Sequence, residues 1–206
     1  MRHDDPRVDA ATPSSIRWPG HLILEVTNAC DLACRGCSFH SPEAVQLRPI
    51  QSMPESLWRP ILDEAADWGT PLTVQPWGMG EPLLHPQFWE IVAAAKRHPQ
   101  FKVGFYSNGM QWKADDLEQA CALGVDWICI SVDGLKPDVF ARYRIGADLD
   151  RVLATVHGLS ERRRATGSAL RLQVNMVQYP ELADHAEEFV AYFRDVVDEV
   201  MVSRFR

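Results

Sequence analysis

Three cysteines lie close together near the start of the chain, in the order Cys30, Cys34 and Cys37. They follow the apolar run Leu22–Val26, which has the character of a buried strand in a parallel sheet. Ligand sites gather just beyond the carboxyl ends of such strands. Soft thiolates spaced by three and two residues can hold one inorganic cluster from a single loop. Because a closed cluster needs four ligands, three leave one metal open to chemistry, which points to an enzyme.

A structural zinc site is the first alternative. Cys-x-x-Cys pairs also bind zinc, and His40 would complete a Cys3His set of four ligands. Cys121 and Cys129 lie inside apolar segments and are typical of packed core thiols. The spacing alone therefore leaves open a non-catalytic module, either a zinc-stabilised scaffold or a simple iron–sulfur electron carrier.

Composition limits the class of protein. The 206 residues are 46% hydrophobic, which indicates one folded domain, and their net charge of −7 argues against a nucleic-acid partner. No apolar run reaches the ~20 residues of a membrane span. The first six residues lack the apolar part of a signal peptide, and an odd number of cysteines does not suggest a disulfide framework. We therefore expect a cytoplasmic protein, with Arg162–Arg164 as a solvated helix face.

The pattern of elements predicts an α/β fold. Residues 1–20 are expected to be a lead-in, and residues 21–206 a core of alternating strands and helices, which implies parallel strands joined by crossovers. Six units fall short of the ~250 residues of a closed barrel, so we predict a partial (β/α)6 TIM-like barrel, with a doubly wound sheet as the alternative. A capping box is expected at Ser52–Glu55. The predicted strands are Leu22–Val26, Leu72–Gln75, Phe101–Tyr106, Trp127–Val132, Leu170–Val177 and Glu199–Ser203. The predicted helices are Leu57–Trp68, Gln87–Arg97, Ala114–Leu123, Pro137–Tyr143, Leu149–Thr166 and Leu182–Arg194.

Polar and glycine-rich residues recur where these strands end. The stretch Trp77–Pro82 follows the second strand, Ser107–Gly109 the third and Ser131–Gly134 the fourth, while the fifth carries Gln173 and Asn175. In a parallel barrel all of these positions lie on one rim together with the three cysteines. That coincidence is a stronger indication of a functional site than any single motif.

The cysteine spacing and the sequence Gly-Met-Gly-Glu-Pro at 78–82 together resemble the radical S-adenosylmethionine (radical SAM) superfamily. The wider stretches 80–86, 107–109 and 131–134 resemble the branch whose members often carry a C-terminal SPASM or twitch extension, although no cysteine follows Cys129 to bind an auxiliary cluster. The resemblance spans Leu22 to Val177. It implies an oxidoreductase-type enzyme that acts on a peptide or a small molecule and receives electrons from a donor such as flavodoxin or ferredoxin.

The resemblance also implies cofactors. Cys30, Cys34 and Cys37 would hold a [4Fe–4S] cluster, and S-adenosylmethionine would chelate its fourth iron. Reductive cleavage would give a 5′-deoxyadenosyl radical that abstracts hydrogen from the substrate.

Further residues are expected to bind the cofactor. Gly78, Met79 and Gly80 would bring the backbone close to the methionyl ammonium, and Glu81 is expected to anchor their turn. Asn108, Ser131, Asp133 and Asn175 would meet the ribose or carboxylate, or else cap strand ends and turns. Gly36 stands where the family often has an aromatic residue, so Phe39 is the candidate for adenine packing. The loop Ser38–Gln51 is a candidate lid, and Trp77 and Tyr106 are candidates for lining the substrate cavity.

Overall fold

A computed structural model describes residues 18–204, apart from the side chains at positions 180, 181 and 183. The lead-in predicted over residues 1–20 therefore lies almost entirely outside the described residues. Where it enters this range, Trp18 stacks on Trp68, with ring centroids 5.0 Å apart. None of the helices within residues 18–204 combines the length and the apolar character needed to span a membrane.

Six parallel strands form one sheet in the same order as they occur in the chain. Each strand pairs with the next one along the sequence, and the first and last strands form the two edges. A doubly wound sheet would reverse its order at a switch point, so the predicted open (β/α)6 barrel is confirmed. The strands are β1 (His21–Ile23), β2 (Leu72–Gln75), β3 (Phe101–Ser107), β4 (Trp127–Ser131), β5 (Arg171–Gln178) and β6 (Glu199–Arg204).

Helices follow the strands and cover the outer face of the sheet. Alternate strand residues such as Val74, Phe105, Ile130 and Val174 are fully buried on that face, as the period of two requires. The last predicted helix begins later than expected because its first part, Pro180–His185, is a 3-10 turn. The helices are α1 (Glu55–Asp67), α2 (Phe88–Lys96), α3 (Ala114–Ala122), α4 (Pro137–Tyr143), α5 (Leu149–Thr166) and α6 (Ala186–Phe193).

The first strand ends earlier than predicted, at Ile23 rather than Val26. After Leu24 the chain leaves β2 and pairs with the segment that precedes α1. Met53 donates its N–H to the Val26 carbonyl at 2.7 Å, and Thr27 and Ser52 form an antiparallel bridge. The capping box expected at Ser52–Glu55 is wrong, because the Ser52 hydroxyl bonds Thr27 (3.1 Å) and Pro54 occupies the N-cap position without a side-chain bond.

The run Arg162–Arg164 is a solvated face only in part, since Arg164 is exposed but Arg163 is not. Arg163 lies between α5 and the chain preceding β5 and β6, where it donates to the carbonyls of Leu170 and Val196, each at 3.3 Å, and pairs with Asp198. The side chain of Arg163 is only 13% exposed. These bonds hold the end of α5 against the loops that begin the last two strands.

Candidate active site

The cysteine loop lies at the carboxyl end of the sheet and is fixed along its length. Ala33 donates its N–H to the Ile145 carbonyl and Arg35 donates to that of Tyr143, both at 2.9 Å. The N–H of Cys37 turns back to the Cys34 carbonyl at 2.9 Å. The three thiols are half-buried, so a bound group would be partly enclosed yet reachable from outside.

The loop opens onto a cavity of about 410 Å³. Its volume is within the range of small-molecule sites. Strand-end residues from β2 to β5 contribute to its wall, as the rim argument predicts. Of the predicted site residues, the cavity lining contains Cys30, Cys34, Cys37, Trp77, Gly78, Met79, Gly80, Glu81, Tyr106, Asn108, Ser131, Asp133 and Asn175.

The two glycines after β2 are required by close packing against the first loop. A methyl group at Gly80 would lie 2.3 Å from the Ala29 carbonyl oxygen and 2.6 Å from that of Thr27, and one at Gly78 would lie 2.4 Å from Glu25 Cγ. The next residue, Glu81, donates its N–H to the same Ala29 carbonyl at 2.8 Å. Gly80 therefore lets the turn lie directly on the backbone that leads into Cys30, and Gly78 leaves room for the Glu25 side chain.

Glu81 anchors this turn from inside the protein. Its carboxylate accepts the Ser107 hydroxyl at 2.8 Å and the Asn108 N–H at 2.7 Å, which joins the end of β2 to the end of β3. The side chain is 2% exposed. Burial raises its pKa from 4.5 to about 7, against the opposing effect of these hydrogen bonds.

This carboxyl is expected to make stability depend on pH. Its folded-state pKa of about 7 lies above its ordinary value of 4.5, so folding takes up a proton between these values. The contribution is complete below about pH 4.5 and is lost as the pH rises through 7. Urea denaturation at several pH values should show this decline, and the Glu81→Gln variant should lack that part of it. An unchanged profile in the variant would contradict the assignment.

Asn108 joins the cysteine loop to β3. Its amide Nδ2 donates to Asp31 Oδ1 at 2.7 Å, and its Oδ1 accepts the N–H of Met110 at 2.8 Å. Gln111 donates to the other oxygen of Asp31, also at 2.7 Å. Both ends of the Asn108 side chain are therefore engaged by the protein itself, as the turn interpretation of this residue expects.

Asp133 is likewise engaged, by a partner that the sequence did not indicate. Asp133 Oδ2 accepts from Arg144 Nε at 2.7 Å, and Oδ1 accepts the Val177 N–H at 2.7 Å. Arg144 Nη1 also lies 3.9 Å from Cys34 Sγ. Ser131 and Asn175 are half-buried residues of the cavity wall, and Asn175 Oδ1 accepts the Ser203 hydroxyl at 3.5 Å.

Phe39 does not line this cavity. It is 38% exposed and contributes to a separate pocket of the long loop, which also includes His40, Leu47 and Ile50. The end of that loop is tied down rather than free, because Asn28 bonds the Pro49 carbonyl (2.9 Å) and the Gln51 N–H (2.7 Å). These bonds hold residues 49–51 in place, so the lid predicted over Ser38–Gln51 would have to move through the part of the loop that precedes them.

The donor set can be compared with the two predicted metal groups. A single zinc ion needs its ligand atoms within about 2.3 Å, but over residues 18–204 no three His, Cys, Asp or Glu side chains are arranged to hold one ion. In an iron–sulfur cluster each thiolate binds a different iron, so the thiols stand farther apart.

Burial raises the pKa of Cys30 to about 11 and raises that of Cys34, so binding iron would release their protons.

Comparison with known proteins decides the family. The profile of the Radical SAM superfamily matches residues 24–193, which is most of the chain. This chain belongs to the radical SAM superfamily. Members of the superfamily are enzymes that use a [4Fe–4S] cluster and S-adenosylmethionine, the two cofactors expected from the cysteine and glycine motifs.

Two radical SAM proteins illustrate the relationship. The PqqA peptide cyclase of Xanthomonas axonopodis pv. citri (strain 306) is 31% identical over 184 residues, covering 84% of this chain and 44% of that protein. Streptococcus suis SuiB bound to S-adenosylmethionine shares the fold with a TM-score of 0.76 and 20% identity, covering 92% of this chain and 41% of that one. SuiB has also been solved bound to its precursor peptide SuiA, with a TM-score of 0.71. The chain spans less than half the length of both relatives.

Proposed function

We propose that residues 21–206 are the core of a radical SAM enzyme that modifies a peptide. The observation that carries this proposal is that the three half-buried cysteines and the turn Gly78–Glu81 share the wall of one cavity. Cys30, Cys34 and Cys37 would hold the cluster, and the turn would receive S-adenosylmethionine. When bound, these groups supply a reduced iron–sulfur centre and a 5′-deoxyadenosyl radical that removes hydrogen from the substrate.

The remaining residues of the site have positioning roles in this proposal. Glu81 and Asn108 fix the turn and the cysteine loop against the end of β3 through the bonds given above. The backbone carbonyls of the glycine turn would accept hydrogen bonds from the methionyl ammonium. Ser131 and Asn175 line the cavity and would bind the polar part of the cofactor. Phe39 is not part of this set, because it lies in the neighbouring pocket.

A peptide is the substrate class that we favour. Support comes from the relatives, since one is a peptide cyclase and the other was solved with its precursor peptide. The cavity also has an aromatic side that suits an apolar side chain, where the Trp77 and Tyr106 rings lie 4.8 Å apart. A cytoplasmic enzyme of this kind would receive its electron from a carrier such as flavodoxin or ferredoxin.

Anaerobic reconstitution tests the proposal. The protein should turn brown, bind about four irons per chain, and release 5′-deoxyadenosine from S-adenosylmethionine when a strong reductant is added. A peptide substrate should increase that release, whereas free amino acids should not. A coloured protein that never cleaves S-adenosylmethionine would favour an electron carrier. A colourless protein with one bound zinc would favour a scaffold, and either result would overturn the proposal.

A further inference from the structure

Arg144 places a buried positive charge beside one cysteine of the loop. Its guanidinium lies between Asp133 Oδ2, 2.7 Å from Nε, and Cys34 Sγ, 3.9 Å from Nη1. Arg144 is 9% exposed and Asp133 is 3% exposed. Water therefore screens this ion pair weakly, and its field at Cys34 is correspondingly stronger than that of a surface pair.

The position of this charge is fixed by backbone bonds on both sides. Arg35 donates to the carbonyl of Tyr143, and Ala33 donates to that of Ile145, so the residues flanking Arg144 are joined to those flanking Cys34. The Val177 N–H holds the other oxygen of Asp133 at 2.7 Å. The guanidinium consequently cannot leave Cys34 without straining or breaking its bond to Asp133, which β5 holds in place.

The surroundings of the other thiols are different. Asn108 Nδ2 is 4.0 Å from Cys30 Sγ, and Cys37 Sγ accepts only the backbone N–H of Phe39, at 3.4 Å, among the bonds of the described residues. Both of these donors are neutral. Within residues 18–204, the charged hydrogen-bond donor to a cysteine of this loop is the Arg144 guanidinium at Cys34, and Asp133 is its counter-ion.

We propose that Arg144 and Asp133 act as an opposed pair of positioning residues that sets the reduction potential of the cluster, an inference that rests on the proposed function. Reduction adds negative charge to the cluster and its thiolates. The guanidinium at Cys34 stabilises that charge and raises the potential, while the Asp133 carboxylate behind it limits the effect. Net charge and hydrogen bonds to the sulfurs are known determinants of cluster potential.

Two variants should shift the potential in opposite directions. Arg144→Gln removes the positive charge and should lower the midpoint potential, whereas Asp133→Asn frees the guanidinium from its counter-ion and should raise it. Arg144→Lys keeps the charge and should remain closer to the wild type than Arg144→Gln. We expect about a tenfold change in the one-electron reduction equilibrium for each charge removed, which is about 59 mV. The measurement is an anaerobic redox titration followed by electron paramagnetic resonance, without S-adenosylmethionine.

Iron content and a distant pair provide the controls. Arg163→Gln alters an ion pair in another part of the fold and should leave the potential unchanged. Equal potentials, or shifts of one sign in Arg144→Gln and Asp133→Asn, would overturn the inference. Loss of the cluster in Arg144→Gln but not in Arg144→Lys would support a requirement for the charge, and loss in both would overturn it. Failure of the wild-type protein to bind iron would instead refute the proposed function.

Discussion

Replacing Cys34 with alanine is expected to abolish cluster binding and with it all release of 5′-deoxyadenosine. Cys34 is the middle cysteine of the proposed three-ligand set, and no fourth cysteine lines the cavity among the residues described. Two remaining thiolates would leave two of the four irons without protein ligands. Iron analysis after anaerobic reconstitution should fall from about four per chain toward the background, and the brown absorbance should disappear.

Cys121→Ala is the matched control for this experiment. Cys121 is also a half-buried free thiol, but it belongs to α3 and packs against the core away from the cavity. Its loss should leave iron content and cofactor cleavage close to the wild-type values. Full iron content in Cys34→Ala would contradict the ligand assignment. Equal iron loss in both variants would show that a general loss of structure is responsible.

Much of the fold could be predicted because local patterns determine it. Strands such as Trp127–Ser131 are short and mostly apolar, and the helices between the strands are long enough for a parallel crossover. Sequential strands usually lie side by side, which favours the observed order, but crossovers of one hand would also allow a doubly wound sheet. The rim of polar residues follows in turn, because every parallel strand ends on the same side.

The details that the sequence did not predict depend on contacts between distant segments. The Arg144–Cys34 contact joins residues 110 positions apart, and no periodicity marks an arginine just beyond a short helix as part of a site. Similarly, the first strand ends early where Val26 and Thr27 pair with Met53 and Ser52 instead of with β2. A further example is His85, which is 3% exposed and whose Nε2 forms a hydrogen bond with the Met53 carbonyl at 2.9 Å.

The glycine turn could be predicted from the sequence only in part. Its motif was recognised from the sequence and assigned to close approach of a cofactor. The structure adds that the turn lies in van der Waals contact with the backbone before Cys30. The glycine turn and the cysteine loop therefore support each other's position. Displacing the turn should therefore affect the cysteine loop even in the absence of a cofactor.

Gly80→Ala is expected to destabilise the protein and impair iron uptake together. The added methyl group would meet the carbonyl oxygens of Ala29 and Thr27 at 2.3 and 2.6 Å, and backbone atoms cannot move aside as a flexible side chain can. Relief requires the turn to separate from the loop, which breaks the bond from the Glu81 N–H to the Ala29 carbonyl. We expect a loss of about 2–4 kcal/mol in the free energy of unfolding, measured by urea denaturation of the iron-free protein.

Gly20→Ala tests whether this effect depends on position. Gly20 has no heavy atom within 4 Å of an added methyl group, so the same substitution there should change the free energy of unfolding by no more than about 0.5 kcal/mol. A Gly80→Ala variant as stable as Gly20→Ala would mean that the turn can leave the loop at little cost. Normal stability with lost iron uptake would place the glycine requirement at the cofactor instead of at the backbone of the first loop. If Gly80→Ala loses both stability and iron uptake while Gly20→Ala loses neither, the result supports the conclusion that the glycine turn holds the cysteine loop in place.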